Sequence, residues 1–177
     1  FDFSGASVSN AGDVNGDGFD DVIIGARGSD ASGENSGAAY VVFGKGSGFD
    51  ATVNLADLDG TNGFRLERGI TGELFGRAVS AAGDFNGDGN DDLIIGAYAA
   101  DPNGQDSGAG YVLFGKSSGF NASINIEELS NEEGFALNGI AVGDSLGKSV
   151  NSAGDINDDG FADLIIGAPF GDGSIPN

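Results

Sequence analysis

DVNGDGFDDVIIGA (residues 13–26) recurs as DFNGDGNDDLIIGA (residues 84–97) and again as DINDDGFADLIIGA (residues 155–168). Each copy begins 71 residues after the last, without a gap. The first nine residues of each copy place oxygen-bearing side chains at positions 1, 3, 5 and 9, with Gly at position 6. Glycine permits the positive φ of a sharp turn, and a hard cation takes a shell of such oxygen donors. The five residues that follow run apolar and close on Gly-Ala, as a short buried strand does. The stretch therefore reads as a metal-binding loop feeding a strand, written three times.

The register extends well beyond the loop. Gly5, Gly76 and Gly147 coincide, as do Val8, Val79 and Val150, and Tyr40 matches Tyr111. The repeats are residues 1–71, 72–142 and 143–177, the last truncated after its second strand. Within one repeat the pattern predicts strands over 6–12, 21–26, 38–44 and 63–67, with one helical turn near Leu55 and Leu58. Tyr40, Tyr111, Phe43 and Phe114 sit at strand spacing and read as core. Four antiparallel strands per repeat fit a propeller blade or a sandwich segment. A solenoid rung is shorter, at about 20–30 residues. The small residues of the first strand suit the crowded centre where propeller blades converge. The chain is read as all-β, about two and a half β-propeller blades of four antiparallel strands.

The proposed ligands of the first loop are Asp13, Asn15, Asp17, the carbonyl of Phe19, and Asp21. The second loop supplies Asp84, Asn86, Asp88, the carbonyl of Asn90, and Asp92. The third supplies Asp155, Asn157, Asp159, the carbonyl of Phe161, and Asp163. An EF-hand loop begins in the same way but needs an acid at position 12, where this chain has Ile24, Ile95 and Ile166. The competing reading is an Asx-rich turn that binds nothing. Three copies that each converge three carboxylates argue for a cation, because their repulsion would otherwise destabilise the fold. Numerous all-oxygen donors favour Ca2+ over Mg2+, one ion per loop and three in all. Asp20 and Asp91 lie beside the ligands and are expected to face solvent.

Composition bounds the function. The formal charge is −21 on 177 residues, and nine of the 28 acids stand at positions 1, 5 and 9 of the loops. That sign excludes a basic nucleic-acid surface or an anionic-membrane surface. Cys and His are absent, so zinc, iron–sulfur and haem sites, disulfides and Cys- or His-based catalysis are excluded. No transmembrane run, signal peptide or lipidation motif is visible. The chain opens inside a repeat and without Met, and so reads as part of something longer.

LFGRAVSAAGDFNGDGNDDLIIGA (residues 74–97) resembles the FG-GAP repeat of integrin α-subunit β-propellers and their bacterial relatives. Phe75-Gly76 is the "FG" and Gly167-Ala168-Pro169 the "GAP". The resemblance covers essentially the whole chain. It implies propeller blades with calcium in the hairpin between the first two strands. Departures are Ser4-Gly5 and Leu146-Gly147 in place of Phe-Gly, Arg27 and Tyr98 in place of the GAP proline, and Asp158 where the other loops have Gly16 and Gly87. The long outer segments, VVFGKGSGF and LADLDGTNGF, look more like the bacterial secreted type than animal integrins.

These readings converge on a calcium-binding, secreted or cell-surface propeller module with a structural or adhesive role, not an enzyme. Its expected partner is a protein or glycan, with the loops at 27–37 and 98–110 the best binding candidates. The alternatives are a non-catalytic propeller part of a larger secreted hydrolase and a subunit of a surface or filament assembly. Two and a half blades leave open edges, so the rest of a longer chain or further copies are expected to complete the propeller.

Overall fold

The second strand of each repeat is apolar on both faces, and an apolar strand is stable only where both faces are covered. The computed structural model, which describes residues 1–172, satisfies that demand by stacking sheets. The first repeat forms the antiparallel strands β1 (Ser4–Gly12), β2 (Asp21–Ala26), β3 (Ala38–Val42) and β4 (Gly63–Glu67). The second forms β5 (Ala78–Gly83), β6 (Asp92–Ala97), β7 (Ala109–Leu113), β8 (Ser123–Asn125) and β9 (Gly134–Asn138). The third contributes β10 (Ser149–Gly154) and β11 (Asp163–Gly167). Its last five residues, 173–177, lie outside the described residues. The all-β expectation of antiparallel four-stranded blades holds, and the described residues form no closed ring. The expected helical turn is a 3-10 turn at Leu55–Asp57, repeated at Ile126–Glu128.

The same strand appears in three environments. Val22 is 45 % exposed, whereas its counterpart Leu93 is fully buried. On the opposite face Ile94 is fully buried and its counterpart Ile165 is 60 % exposed. The middle blade alone is covered on both sides among the described residues. Its near face packs Leu93, Ile95 and Leu113 against Ile23, Val41, Phe64 and Leu66 of the first blade. Its far face packs Ile94, Val112 and Phe135 against Val150, Leu164 and Ile166 of the third. Of the aromatics read as core, Tyr111 and Phe43 are buried, Phe114 is half-buried and packs against the second core cluster, and Tyr40 is half-buried.

The FG motif lies where consecutive blades touch. Phe75 is fully buried against Tyr111, with ring centroids 5.6 Å apart. Gly76 takes φ +81°, and a Cβ there would lie 2.2 Å from the Ala38 carbonyl of the preceding blade. Its N–H donates to the Gly96 carbonyl at 3.1 Å. Phe packs the joint and Gly lets the two backbones meet.

One strand was not read from the sequence. β8 belongs to the second repeat but pairs in parallel with β4 of the first, Arg65 opposite Ser123 and Glu67 opposite Asn125. It makes a fifth strand on the first blade. The matching residues 52–54 of the first repeat form no strand, because no sheet edge lies beside them. A partly buried ion cluster reinforces the crossing: Arg68 pairs with buried Glu73 and exposed Glu127, its guanidinium 5.3 Å from the Tyr111 ring centroid.

Ile94→Ala should therefore cost about 2–5 kcal/mol, the usual range for emptying a close-packed site. Ile165→Ala should change stability by no more than about 0.5 kcal/mol. Urea denaturation of the two variants checks the pair, and equal losses would contradict the three-environment burial.

Candidate metal centres

Each loop starts at a β-bulge that turns the end of the inner strand. The pairing slips between Asn10 and Gly12, between Ala81 and Gly83, and between Ser152 and Gly154. A bulge bends the strand locally, and here it bends the chain into the acidic loop. The chain then turns through Gly18, Gly89 and Gly160 at position 6, with φ of +88°, +91° and +92°.

The donor groups converge on backbone amides within the loop. Asp17 N–H donates both to Asp13 Oδ1 and to Asn15 Oδ1, each at 3.0 Å, which brings positions 1 and 3 together. Gly18 N–H donates to Asp13 Oδ2 at 2.8 Å, and Phe19 N–H to Asp17 Oδ1 at 3.0 Å. The second loop repeats all four bonds on Asp84, Asn86 and Asp88. The third repeats them on Asp155, Asn157 and Asp159. The Gly160 amide and its neighbours hold the Asp155 carboxyl below its ordinary range.

Position 9 plays a different part. Asp21 is buried at the start of β2, and its carboxylate accepts from Val14 N–H at 3.0 Å and from Gly44 N–H at 2.8 Å. Asp92 is buried likewise and accepts from Phe85 N–H at 2.9 Å and Gly115 N–H at 2.8 Å. One side chain thus ties the loop to the segment that leaves the third strand of its blade. Asp163 is only half-buried and accepts from Ile156 N–H at 2.8 Å. Burial pushes the Asp21 and Asp92 carboxyls up to about 6, against the lowering effect of those amides. The charges of Asp17 and Asp13 push Asp21 further in the same direction. None of the four ion pairs among the described residues involves a loop carboxylate, so no side-chain cation offsets these buried charges.

Positions 1, 3, 5 and 9 of each loop are therefore brought to one hairpin end. As the side chains stand, no group of three or more acidic residues among the described residues is gathered closely enough to hold a metal ion. The carboxylates are turned onto backbone amides of the loop and of the segment after the third strand.

Asp91 departs from expectation. It does not simply face solvent: its Oδ2 accepts from Asp13 N–H of the preceding loop at 2.8 Å. The sequence marked the residue only as an acid beside the ligands, because the partner lies 78 positions away. The loops also stack at position 4. A Cβ on Gly16 would lie 2.6 Å from Asn90 Oδ1, and one on Gly87 would lie 2.3 Å from the Phe161 ring. Asp158 occupies the same position in the third loop, with φ +59°.

An all-β stack of four-stranded blades with one acidic hairpin loop per repeat defines a propeller-type repeat module. The FG-GAP repeat model matches residues 4–42, 75–113 and 149–176, more than half of the chain, and the chain belongs to that family. It is 34 % identical to a phosphatidylinositol-glycan-specific phospholipase D of Dictyostelium discoideum over 91 % of this chain and 17 % of that protein. It is 31 % identical to integrin alpha-V of Gallus gallus over 94 % of this chain and 15 % of the integrin. Integrin alpha-4 of Xenopus laevis aligns at 28 % identity over 98 % of this chain and 15 % of the integrin. The chain thus spans less than a fifth of the length of these relatives.

A non-glycine residue in the left-handed region costs roughly 1–2 kcal/mol, somewhat less for Asp. Asp158→Gly relieves that strain and removes one like charge from the loop. It should stabilise the protein by about 1 kcal/mol in a denaturant titration, and a loss of stability would contradict the reading.

Proposed function

We propose that each loop binds one calcium ion and that the chain is a calcium-stabilised extracellular propeller segment. The observation that carries this is the buried position-9 carboxylate, repeated as Asp21 and Asp92, with no cationic side chain beside it. A divalent ion held by positions 1, 3, 5, 7 and 9 would supply the missing positive charge, and the all-oxygen donor set suits calcium. Its role is to hold the hairpin, with no catalytic step. Asp13, Asn15, Asp17, Phe19 and Asp21 would hold the first ion. Asp84, Asn86, Asp88, Asn90 and Asp92 would hold the second, and Asp155, Asn157, Asp159, Phe161 and Asp163 the third. Millimolar extracellular calcium would keep such sites filled and stabilise the fold by mass action.

The module works by binding, through a protein or glycan partner, at the cell surface or in secreted form. Kinship with integrin α-subunits favours adhesion, and the long outer segments favour the bacterial secreted type. No helix among the described residues is long and apolar enough to cross a membrane. Kinship with phospholipases D favours a second reading, in which these residues are the non-catalytic propeller of a larger secreted hydrolase. Either way the first blade presents an apolar groove of about 690 Å³ lined by Val8, Val22, Ile24, Val42 and Val53. Val79, Leu93, Ile95, Leu113 and Ile124 occupy the same register in the second blade and pack against the first. A further blade of this repeat, from a longer chain or another copy, would cover the groove in the same way. A surface or filament assembly is the case in which copies do so indefinitely.

The metal reading predicts a rise in melting temperature with calcium that chelator abolishes and equimolar magnesium does not match. Identical melting under all three conditions would overturn it. The groove reading predicts concentration-dependent association of the isolated chain, suppressed by Val22→Asp. A stable 17.6-kDa monomer at every concentration in analytical ultracentrifugation would count against it.

A further inference from the structure

The loops of consecutive blades are joined to each other through their own backbones, and the joint between the first two loops differs from that between the second and third. Asp91 sits between Asn90 and Asp92, at positions 7 and 9 of the second loop. It holds Asp13, position 1 of the first loop, by both peptide groups. The Asp91 carboxylate accepts from Asp13 N–H at 2.8 Å, and Asp91 N–H donates to the Asp13 carbonyl at 3.1 Å. Gly12 makes room for this, since a Cβ there would lie 2.2 Å from Asp91 Oδ2.

A second path runs beside the first. Asp92 accepts from Gly115 N–H at 2.8 Å, and the next amide, Lys116 N–H, donates to the Val14 carbonyl at 2.9 Å. Val14 N–H in turn donates to Asp21 at 3.0 Å, which is position 9 of the first loop. Position 9 of one site is thus linked to position 9 of the other through the backbone of two residues, Gly115 and Val14. Between the second and third loops, the place of Asp91 is taken by Ala162. There Ala162 N–H donates to the Asp84 carbonyl at 3.1 Å, and no carboxylate can close the pair.

We infer that Asp91 is a positioning residue that couples the first two metal loops, so that a divalent cation in the second loop raises the affinity of the first. The inference rests on the calcium reading of the loops. A cation that draws in Asn90 and Asp92 fixes Asp91 between them. Asp91 then fixes the peptide groups of Asp13, so the first loop loses less freedom when it binds in turn. Its charge, beside position 1, also favours the cation. Coupling of this kind is reciprocal, and factors of about 5–150 are ordinary for linked sites.

The test is a calcium titration of the whole chain followed by the amide resonances of Gly18, Gly89 and Gly160, one in each loop. The unmodified chain should show Gly18 responding to calcium together with Gly89. Disabling the second loop by Asp88→Ala should weaken the Gly18 response about tenfold. In Asp91→Ala the Gly18 and Gly89 responses should both weaken while that of Gly160 is unchanged, and adding Asp88→Ala should then have little further effect on Gly18. Asp91→Asn keeps an acceptor oxygen without the charge and should fall between, which also guards against simple misfolding. A Gly18 response that ignores Asp88→Ala and Asp91→Ala would overturn the coupling while leaving the calcium reading intact. If no glycine responds to calcium, both fall together.

Discussion

The central strand of each blade has no polar face, and the rest of the structure follows from the need to cover it twice. In β6 all six residues from Asp92 to Ala97 are buried, because one sheet lies on each side. Burying side chains of this size is worth roughly 1.5–3 kcal/mol each, so the sheets stack face to face. Stacking in turn brings the inner strands together, and only small residues fit there. Val79 N–H reaches Ser7 Oγ at 3.1 Å, and Ser80 Oγ reaches Asn151 at 2.8 Å.

The same stacking places the acidic loops side by side at one end of the blades. The first two loops depend first on their own hairpins, through the position-9 carboxylate that takes amides from the loop and from the segment after the third strand. They depend next on their neighbours, through the packing at position 4 and, between the first two loops only, the Asp13–Asp91 pair. The loop carboxylates are thus held within their own blade, and Asp91 reaches across to the neighbouring loop. That is an unfavourable setting for bare charge, since Asp21 and Asp92 are buried without a cationic partner.

A second set of crossings ties the outer edges. β8 leaves its own repeat to pair with β4, while Arg68, at the end of β4, lies between Glu73 and Glu127 of the second repeat. Burial raises the Glu73 carboxyl even with Arg68 against it, because its desolvation outweighs the attraction of the pair. Inner strands, loops and outer strands each carry one kind of link between blades.

Much of this was legible in the residues. The period of 71, the strand order within a repeat and the oxygen donors of each loop are local patterns, and local patterns survive in sequence. The three copies of one strand, however, read almost identically while Val22, Leu93 and Leu164, or Ile23, Ile94 and Ile165, meet different surroundings. Asp20, Asp91 and Ala162 occupy one register position, yet Asp91 alone binds a neighbouring loop through its side chain. Residues 52–54 and 123–125 share a register too, and only the second set becomes a strand. By itself the sequence determined the repeat, the blade and the chemistry of the loop, because each depends on residues close along the chain. Tertiary structure alone decided which faces are covered and which loops are joined, because those contacts lie about one repeat apart and exist only once one blade packs on the next.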